Sequence, residues 1–284
     1  MTAPENVPIS VLVTGGSGRV GRALQAIWRA NPLTNLRIIW QARQSVSSGC
    51  LQWDIGQNPP PLLPNGLIVL HLAGKTSGTP EALAQNAVAT EAVCMAALEA
   101  RARHVFIMST AAVYAPGPLP LDEATTPAPQ SPYGLSKLMA EQVAVRLMQR
   151  RVTILRLANL AGADALLGTA RDEVMLDPIK GQPGGPERSY IGPRVLAQAL
   201  AGLMQIAVNG ATLPPILNLA QQPPVAMADL LQAHGVKWRF GPPRAGAVAR
   251  VVLNTDRLAA VVPVPQTSPS ALIADMVSVP GWPR

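Results

Sequence analysis

Cysteine is almost absent from this sequence, in which Cys50 and Cys94 are the only two among 284 residues. Two cysteines cannot build the disulfide framework on which small secreted domains depend. The first ten residues hold two prolines and a glutamate, and they lack the basic start and apolar stretch of a signal peptide. We therefore expect reduced thiols and a cytoplasmic protein.

Long apolar runs are missing as well. The longest, at 66–70 and 199–208, fall well short of the ~20 residues that a helix needs to cross a bilayer, so we expect no membrane partner. Aromatic residues make up only 4% of the chain, yet 48% of it is apolar because Ala, Leu and Val are abundant. Such a chain can bury a sizeable core, which excludes a disordered or fibrous protein.

Clustered positive charge is the third absence. The formal net charge is +7, but no basic run is longer than the pair Arg150–Arg151. Nucleic-acid-binding proteins usually show a basic face and a known motif, so we expect no nucleic-acid partner. Histidine and cysteine do not occur at metal-ligand spacing, and we expect no metal site. Arginine is common, and because it binds phosphate well, an anionic small ligand remains open.

Strand-like and helix-like segments alternate along the chain up to about residue 162. The predicted strands are Ile9–Val13, Leu36–Trp40, Leu51–Trp53, Leu67–Leu72, His104–Met108 and Val152–Leu157. The predicted helices are Val20–Ala30, Glu81–Ala100 and Pro132–Arg150. This alternation is typical of an α/β protein, here a Rossmann-type doubly wound parallel sheet with helices on both faces.

The pattern becomes irregular after residue 162, where proline and glycine interrupt it often. Val195–Ile206 is predicted to be a helix, and Ile216–Leu219 a strand that returns to the main sheet. We therefore assign residues 1–162 plus 195–220 to a dinucleotide-binding Rossmann domain. Residues 163–194 plus 221–284 are assigned to a smaller C-terminal lobe that binds the substrate.

A glycine cluster follows the first predicted strand and opens the first predicted helix. It reads TGGSGRVG over residues 14–21, with Gly15, Gly18 and Gly21 at the fingerprint spacing. Glycine permits the tight turn, the close approach of a pyrophosphate and the close packing of helix on strand. The helix amides then bind the phosphates. This context predicts a dinucleotide site.

Tyr133 and Lys137 lie four residues apart in a predicted helix and therefore share one face. An ammonium group close to a phenol favours the phenolate, so we expect Lys137 to lower the pKa of Tyr133. A tyrosine of this kind can give or take a proton at an alcohol or carbonyl.

Acidic residues are absent from Asn6 to Trp53. An NAD-preferring Rossmann site usually places Asp or Glu about 20 residues after the glycine loop, where it binds the ribose 2′-hydroxyl. Arg43 stands near that position instead, and Arg19 lies in the loop itself. Because guanidinium groups pair with a 2′-phosphate, we predict that NADP is preferred over NAD. The alternative is that Gln41 binds the 2′-hydroxyl and that NAD is accepted.

Several segments together resemble the extended short-chain dehydrogenase/reductases, in the NAD-dependent epimerase/dehydratase branch. They are TGGSGRVG (14–21), HLAG (71–74), MSTAAVY (108–114), PQSPYGLSKLMAEQ (129–142) and RLANLAG (156–162). The segment 129–142 is especially similar to that of UDP-galactose 4-epimerases. The resemblance covers most of the chain.

The resemblance implies roles for individual residues. The residues implied to hold the dinucleotide are Gly15, Gly18, Gly21, Asp54, Ile55, Leu72, Ala73, Gly74 and Lys137. Our predicted cofactor site also includes Tyr133, Arg19 and Val20 of the glycine loop, and Arg43 from the charge argument above. Thr110 would bond the substrate oxygen, Tyr133 would act as the acid/base, and Lys137 would hold the nicotinamide ribose. Asn159 and Arg188 would face the substrate, Arg188 near a phosphate. For Asn86 the resemblance implies a mainly structural role.

Departures from the family pattern bear on the reaction. Ala111 and Ala112 follow Thr110 where sugar-nucleotide 4,6-dehydratases carry an acidic residue, so a dehydratase is disfavoured. Val195 stands where the family usually has Asp. We favour an NAD(P)-dependent oxidoreductase or epimerase that acts on a sugar or nucleotide sugar. A reductase or dehydrogenase of a small non-sugar carbonyl compound and a non-catalytic dinucleotide-binding sensor remain alternatives.

Two predicted helices carry more apolar residues than one buried face requires. These residues are Val93, Met95 and Leu98 in the first helix, and Leu138, Met139, Val143 and Leu147 in the second. In the family that the chain resembles, the two helices pair across a dimer axis. We therefore expect a homodimer.

Overall fold

The structure, a computed structural model, describes residues 7–44, 50–169 and 171–282. Residues 1–6, which belong to the segment compared above with signal peptides, lie outside the described residues. The strands are β1 Ile9–Thr14, β2 Leu36–Ala42, β3 Leu51–Gln52, β4 Ile68–His71, β5 His104–Thr110, β6 Val152–Leu157, β7 Asn159–Leu160, β8 Glu173–Leu176, β9 Glu187–Arg188, β10 Tyr190–Ile191, β11 Ile216–Leu219, β12 Val225–Ala226, β13 Lys237–Phe240 and β14 Arg250–Val251. The helices are α1 Arg19–Ala30, α2 Pro80–Glu99, α3 Pro132–Met148, α4 Pro193–Val208, α5 Met227–Ala233, α6 Asp256–Ala259 and α7 Pro269–Val277.

Seven strands form one parallel sheet in the order β11-β6-β5-β4-β1-β2-β3. Helices cover both faces. Val11 and Val13 of β1 pack in the cluster that contains α1 and α4, whereas Leu12 packs in the cluster that contains α2 and α3. Successive side chains of a strand point to opposite faces, so a strand buried on both faces is apolar throughout. The predicted Rossmann-type fold is confirmed.

The helix starts follow the capping residues in the sequence. Thr79 accepts a hydrogen bond from the amide of Ala82 at the start of α2. At the start of α3, the Ser131 hydroxyl accepts a hydrogen bond from the amide of Gly134. Proline follows each cap, where its fixed φ suits the first turn and its missing N–H costs nothing. These caps place the first turn of α3, which carries Tyr133.

The predicted element boundaries differ from the structure by one or two residues at most of the helix and strand ends. The strands Val152–Leu157 and Ile216–Leu219 have the predicted bounds. Helix α3 ends at Met148, earlier than predicted, and a 3₁₀ turn continues to Arg151. Gln149 has φ of 52°, and a helix cannot continue through a residue in that conformation.

The C-terminal segments build three small sheets, β10-β7, β12-β9-β14 and β13-β8. They share one core with the main sheet, because Tyr190, Leu230 and Leu272 belong to the same buried cluster as Val11. The division into a Rossmann domain and a substrate lobe therefore stays a prediction. Strand β11 pairs with β6, which puts residues 216–219 in the main sheet.

Helix α4 is capped by a residue from far along the chain. The carboxylate of Asp275, on α7, accepts hydrogen bonds from the amides of Arg194 and Val195 at 3.1 and 3.4 Å. Val195 is the position where the family usually has Asp. A carboxylate from another helix thus satisfies the first turn of α4.

Candidate active site

A cleft of about 440 Å³ opens where β1, β2 and β4 end. It is lined by the glycine loop, the end of β2, the residues after β3, the residues after β4, and α2. The lining residues are Gly15, Ser17, Gly18, Gln41, Ala42, Arg43, Asp54, Ile55, Gln57, Leu72, Ala73, Gly74, Lys75, Gln85, Asn86 and Ala89. The carboxyl edge of a parallel sheet is where open α/β folds bind ligands.

Two glycines make the floor of this cleft. Gly15 has φ of 72°, and a Cβ atom there would lie 2.6 Å from the amide nitrogen of Ala73. A Cβ on Gly21 would lie 2.6 Å from the carbonyl oxygen of Gly16. Neither position has room for a side chain. The loop therefore keeps bare backbone beside β4 and beneath the start of α1, which fits the close approach of a pyrophosphate.

Gln41 holds the glycine loop from β2. Its Oε1 accepts from the amide of Gly15 at 2.9 Å, and its Nε2 donates to the carbonyl of Trp53 at 2.5 Å. The residue is only 2% exposed. Both ends of the side-chain amide are thus engaged with backbone, so in its alternative role Gln41 would bind the ribose 2′-hydroxyl with its second lone pair or second N–H.

The two arginines expected to meet a 2′-phosphate have different surroundings. Arg43 lines the cleft together with Asp54 and Ile55, and it is exposed. The guanidinium of Arg19 donates to the carbonyl of Ala163 at 2.9 Å. Arg43 is therefore free to face a ligand in the cleft, whereas Arg19 joins the glycine loop to the segment after β7.

Asn86 fixes the loop after β4. Its Oδ1 accepts from the amide of Lys75 at 2.7 Å, and its Nδ2 donates to the carbonyl of Lys75 and to the hydroxyl of Ser136. Ser136 lies between Tyr133 and Lys137 on α3. A Cβ on Gly74 would lie 3.2 Å from Asn86 Oδ1. Asn86 thus joins the wall of the cleft to α3, which is a structural role of the kind that the resemblance implies.

Thr110 and Tyr133 come together at the ends of β5 and the start of α3. The Thr110 hydroxyl lies close enough to the Tyr133 phenol to oppose the effect of burial, which raises the pKa of that phenol above its ordinary value. The pKa is thus raised and not lowered as expected: desolvation of the phenolate is the largest effect, and the opposing group is Thr110 rather than Lys137. Thr110 also accepts from the amide of Ala112 at 3.2 Å.

Lys137 lies on the same face of α3, one turn after Tyr133. Its side chain is only 6% exposed, and its Nζ would lie 3.7 Å from a Cβ on Gly74. Burial lowers the pKa of this ammonium from 10.5 to about 8, and the carboxylate of Glu141 opposes the decrease. At neutral pH Lys137 therefore remains mostly charged, at the end of the cleft that Gly74 closes.

A buried ion pair behind Lys137 has no counterpart in the sequence predictions. Glu141 accepts from the guanidinium of Arg156 at 3.1 and 2.7 Å, and from the hydroxyl of Ser109 at 2.5 Å. The guanidinium also lies 4.7 Å from the centre of the Tyr114 ring. The only sequence signal was the position of Glu141 four residues after Lys137, inside the segment that resembles epimerases.

Asn159 and Arg188, expected to face the substrate, lie in the small sheets beyond the main one. The backbone amide of Asn159 donates to the carbonyl of Ser189, and the neighbouring Tyr190 hydroxyl donates to Asp164 at 2.7 Å. The guanidinium of Arg188 donates to the carbonyls of residues 187, 248 and 249 at 2.8 to 3.3 Å. A substrate phosphate would therefore compete with backbone carbonyls for the N–H groups of Arg188.

Residues 7–44, 50–169 and 171–282 contain neither a metal-binding cluster nor a membrane-spanning helix. No group of three or more His, Cys, Asp or Glu side chains in these ranges is arranged to hold a metal ion. None of the helices in these ranges combines the length and apolar character needed to span a membrane.

The chain is similar to a curated enzyme over part of its length. A UDP-glucose 4-epimerase from Azospirillum brasilense is 34% identical over 176 residues, which are 54% of this chain and 50% of that enzyme. The chain thus matches half the length of this curated relative.

Solved structures show the same fold at lower identity. A UDP-glucose 4-epimerase from Stenotrophomonas maltophila, with bound NAD and formylated UDP-arabinopyranose, superposes with a TM-score of 0.75 at 20% identity, over 94% of this chain and 96% of that one. The NAD-dependent NDP-hexosamine 5,6-dehydratase TunA, involved in tunicamycin biosynthesis, superposes with a TM-score of 0.75 at 17% identity, over 95% and 97% of the two chains.

The family comparison covers the part of the chain that carries the cleft. Residues 11–176 match the NAD dependent epimerase/dehydratase family. This range includes the glycine loop, Thr110, Tyr133 and Lys137. The resemblance predicted from the sequence motifs is confirmed, and the chain belongs to the NAD dependent epimerase/dehydratase family.

Proposed function

We propose that the protein is an NAD(P)-dependent epimerase or dehydrogenase of a sugar or nucleotide sugar, in which Tyr133 is the acid/base. The observation that carries the proposal is the meeting of Thr110 and Tyr133 beside Lys137, at the end of the cleft. The 34% identical relative is a UDP-glucose 4-epimerase, and the superposed epimerase holds a nucleotide sugar and NAD. Both support a nucleotide sugar as substrate.

The cleft fits a dinucleotide. The glycine loop leaves its backbone uncovered by side chains where a pyrophosphate would lie, Asp54 and Ile55 line the cleft beside Arg43, and Gly74 lies close to Lys137. A dinucleotide bound there supplies the site that accepts and returns hydride. Lys137 is buried and charged where the loop after β4 meets α3, so it is the residue that would hold the ribose nearest the reaction.

Three side chains carry the proton chemistry in this proposal. The Thr110 hydroxyl donates to the substrate oxygen and orients it towards Tyr133. The Tyr133 phenol gives its proton to that oxygen when the carbonyl is reduced, and takes the proton back when the alcohol is oxidised. Lys137 takes part by holding the dinucleotide beside Tyr133 while the proton moves. Neither Ala111 nor Ala112, in the 3₁₀ turn after Thr110, can supply the acid of a 4,6-dehydratase.

The test is turnover of a panel of UDP-sugars and of small non-sugar carbonyl compounds. Tyr133→Phe should bind the dinucleotide as the parent does and lose ~10²–10⁴-fold in turnover, because it lacks only the proton donor. The matched control is Tyr114→Phe, which removes a phenol hydroxyl bonded to Asn218 outside the cleft, and turnover should stay within a few-fold. Turnover of carbonyl compounds alone would favour the second function predicted from the sequence.

Turnover by Tyr133→Phe at the parent rate would refute the acid/base assignment. A tightly bound dinucleotide without turnover of any compound in the panel would favour a non-catalytic sensor. Formation of an unsaturated sugar product would show that elimination occurs despite Ala111 and Ala112, as in the dehydratase branch of the family.

We also propose that NADP is the preferred cofactor and that Arg43 selects it. Arg43 lines the cleft at the end of β2, where it can pair with a 2′-phosphate. Gln41 already bonds to Gly15 and Trp53, which leaves it one lone pair and one N–H for a 2′-hydroxyl. The test is the pair of dissociation constants for NADPH and NADH. Arg43→Ala should bring the two constants together, whereas Arg37→Ala, also on β2, should leave their ratio unchanged.

If the parent protein binds NADH as tightly as NADPH, the proposed preference is wrong. The epimerase that superposes on this chain has NAD bound. NAD is therefore the alternative cofactor, and tighter binding of NADH than of NADPH would favour it.

We further propose a homodimer formed by α2 and α3. Apolar side chains on these helices are 41–51% exposed: Val88 and Met95 on α2, and Leu135, Met139 and Val145 on α3. Exposed apolar patches of this kind usually mark an interaction surface. Val93, expected on this surface, is instead fully buried in the core, because it faces the sheet.

A further inference from the structure

The buried ion pair of Glu141 and Arg156 lies next to the proposed acid/base machinery. The two side chains are 5% and 3% exposed, and two hydrogen bonds join them. Buried ion pairs seldom add much net stability, because desolvation of both charges cancels most of their attraction. Stability alone therefore does not explain why Glu141 and Arg156 are buried at this position.

The carboxylate of Glu141 also joins two elements of the site. It accepts from the hydroxyl of Ser109 at 2.5 Å, and Ser109 directly precedes Thr110 at the end of β5. Tyr133, Lys137 and Glu141 are spaced four residues apart along α3 and share one face of the helix. One carboxylate thus bonds to the strand that ends in Thr110 and belongs to the helix that carries Tyr133.

We propose that Glu141 is a positioning residue of the active site, which fixes α3 against β5 so that Tyr133 meets Thr110, and which keeps a negative charge one turn from Lys137. The inference rests on the proposed function for its effect on turnover. Its effect on Lys137 is independent of any reaction. Arg156 completes the arrangement by holding both carboxylate oxygens from β6.

Several groups surround Lys137, and their charges differ. His71, on β4, is 1% exposed and neutral, because burial and the nearby Lys137 ammonium lower its pKa to about 3. Asn86 on α2 carries no charge, and Tyr133 on α3 is protonated because burial raises its pKa. Glu141 is the carboxylate that raises the pKa of Lys137. Loss of its charge should therefore make Lys137 a weaker base.

The first experiment measures Lys137 directly. The chain has only four lysines, at 75, 137, 180 and 237, so isotope labelling of lysine side chains gives four signals, and Lys137→Met identifies the one that matters. The test variant is Glu141→Gln with Arg156→Met, so that loss of the carboxylate does not leave the Arg156 guanidinium buried and unpaired. We expect the pKa of Lys137 to fall below its value of about 8, because the charge that raises it is lost.

A matched control removes an exposed ion pair in the same way. Glu173 and Arg239 join β8 to β13 at 2.8 Å, and both are half exposed. Glu173→Gln with Arg239→Met should leave the titration of Lys137 unchanged. If the Glu141 double variant folds and Lys137 still titrates near 8, the electrostatic part of the proposal is wrong.

The second experiment tests the positional part. Ser109→Ala removes only the bond from β5 to Glu141 and leaves every charge in place. We expect kcat to fall ~10-fold through misplacement of Thr110 relative to Tyr133, with dinucleotide binding and the pKa of Lys137 unchanged. An unchanged kcat would overturn the positional role. If the double variant fails to fold, Ser109→Ala still tests the positional role of Glu141.

The two parts separate this inference from the proposed function. A shifted Lys137 titration in a protein that turns over no sugar would support the charge role of Glu141 and refute the proposed activity. An unshifted Lys137 titration in an enzyme that turns over a sugar would refute the charge role of Glu141 and support the proposed activity. A lower thermal stability of the double variant, without change in Lys137 or kcat, would show that Glu141 is merely structural and would overturn the proposal.

Discussion

Replacement of Lys137 by methionine should make the protein more stable at neutral pH. The lysine side chain is 6% exposed, and burial lowers its pKa from 10.5 to about 8. A difference of about 2.5 between unfolded and folded pKa values corresponds to about 3 kcal/mol, at 1.36 kcal/mol for each unit. Methionine keeps a similar apolar chain and carries no charge, so the folded state no longer bears that cost.

The sign of the pH dependence follows from proton binding. Between pH 8 and 10.5 the unfolded chain holds the Lys137 proton and the folded chain has lost it, so stability increases with pH in this window. Below pH 8 both states hold the proton, and the full cost of about 3 kcal/mol remains. The advantage of Lys137→Met should therefore be constant below pH 8 and disappear as pH approaches 10.5.

The assay is urea unfolding of both proteins at several pH values from 7 to 10.5. Lys180→Met is the matched control, because Lys180 is exposed, and its substitution should leave the stability unchanged at every pH. A Lys137→Met protein that is less stable than the parent at pH 7, or whose advantage does not depend on pH, would refute the reasoning. A more stable variant that has lost turnover would show a cost that function imposes on folding.

Three further outcomes follow from the structure. Met139→Asp should weaken the proposed dimer in sedimentation experiments, whereas Leu62→Asp, at a fully exposed loop position, should not; an unchanged mass for Met139→Asp would contradict the interface. Asp275→Ala should lower the free energy of unfolding by ~1 kcal/mol through loss of a helix cap, and equal stability in urea would show that the cap is dispensable. Thr110→Ser should turn over substrate well and Thr110→Val poorly; equal rates would exclude a role for the hydroxyl.

The sequence predicts much of the fold because local signals and buried runs agree. Val152–Leu157 is rich in β-branched and other apolar residues, and Ser131 followed by Pro132 is a strong helix start, so both boundaries are found correctly. The glycine loop is found for the same reason: its residues satisfy one local geometry. The positions of Thr110 and Tyr133 in one site came from the resemblance to a family, not from spacing.

Contacts between distant residues could not be predicted in this way. Nothing in the local sequence indicates that Gln41 bonds to Gly15, or that Asp275 caps a helix eighty positions earlier. The pKa of Tyr133 was mispredicted because spacing along a helix shows which side chains are neighbours, whereas desolvation depends on the whole fold. Arg188 is an ordinary sequence match whose donors are taken up by backbone from residues 248 and 249.

The cap that Asp275 provides has a consequence for synthesis of the chain. Helix α4 packs on the main sheet, but the carboxylate that satisfies its first amides is translated about eighty residues after them. At ~5–20 residues per second, the ribosome needs ~4–16 s to deliver it. During that interval water, rather than Asp275, is the partner of the first amides of α4, so α4 acquires its final cap only after α7 has been made.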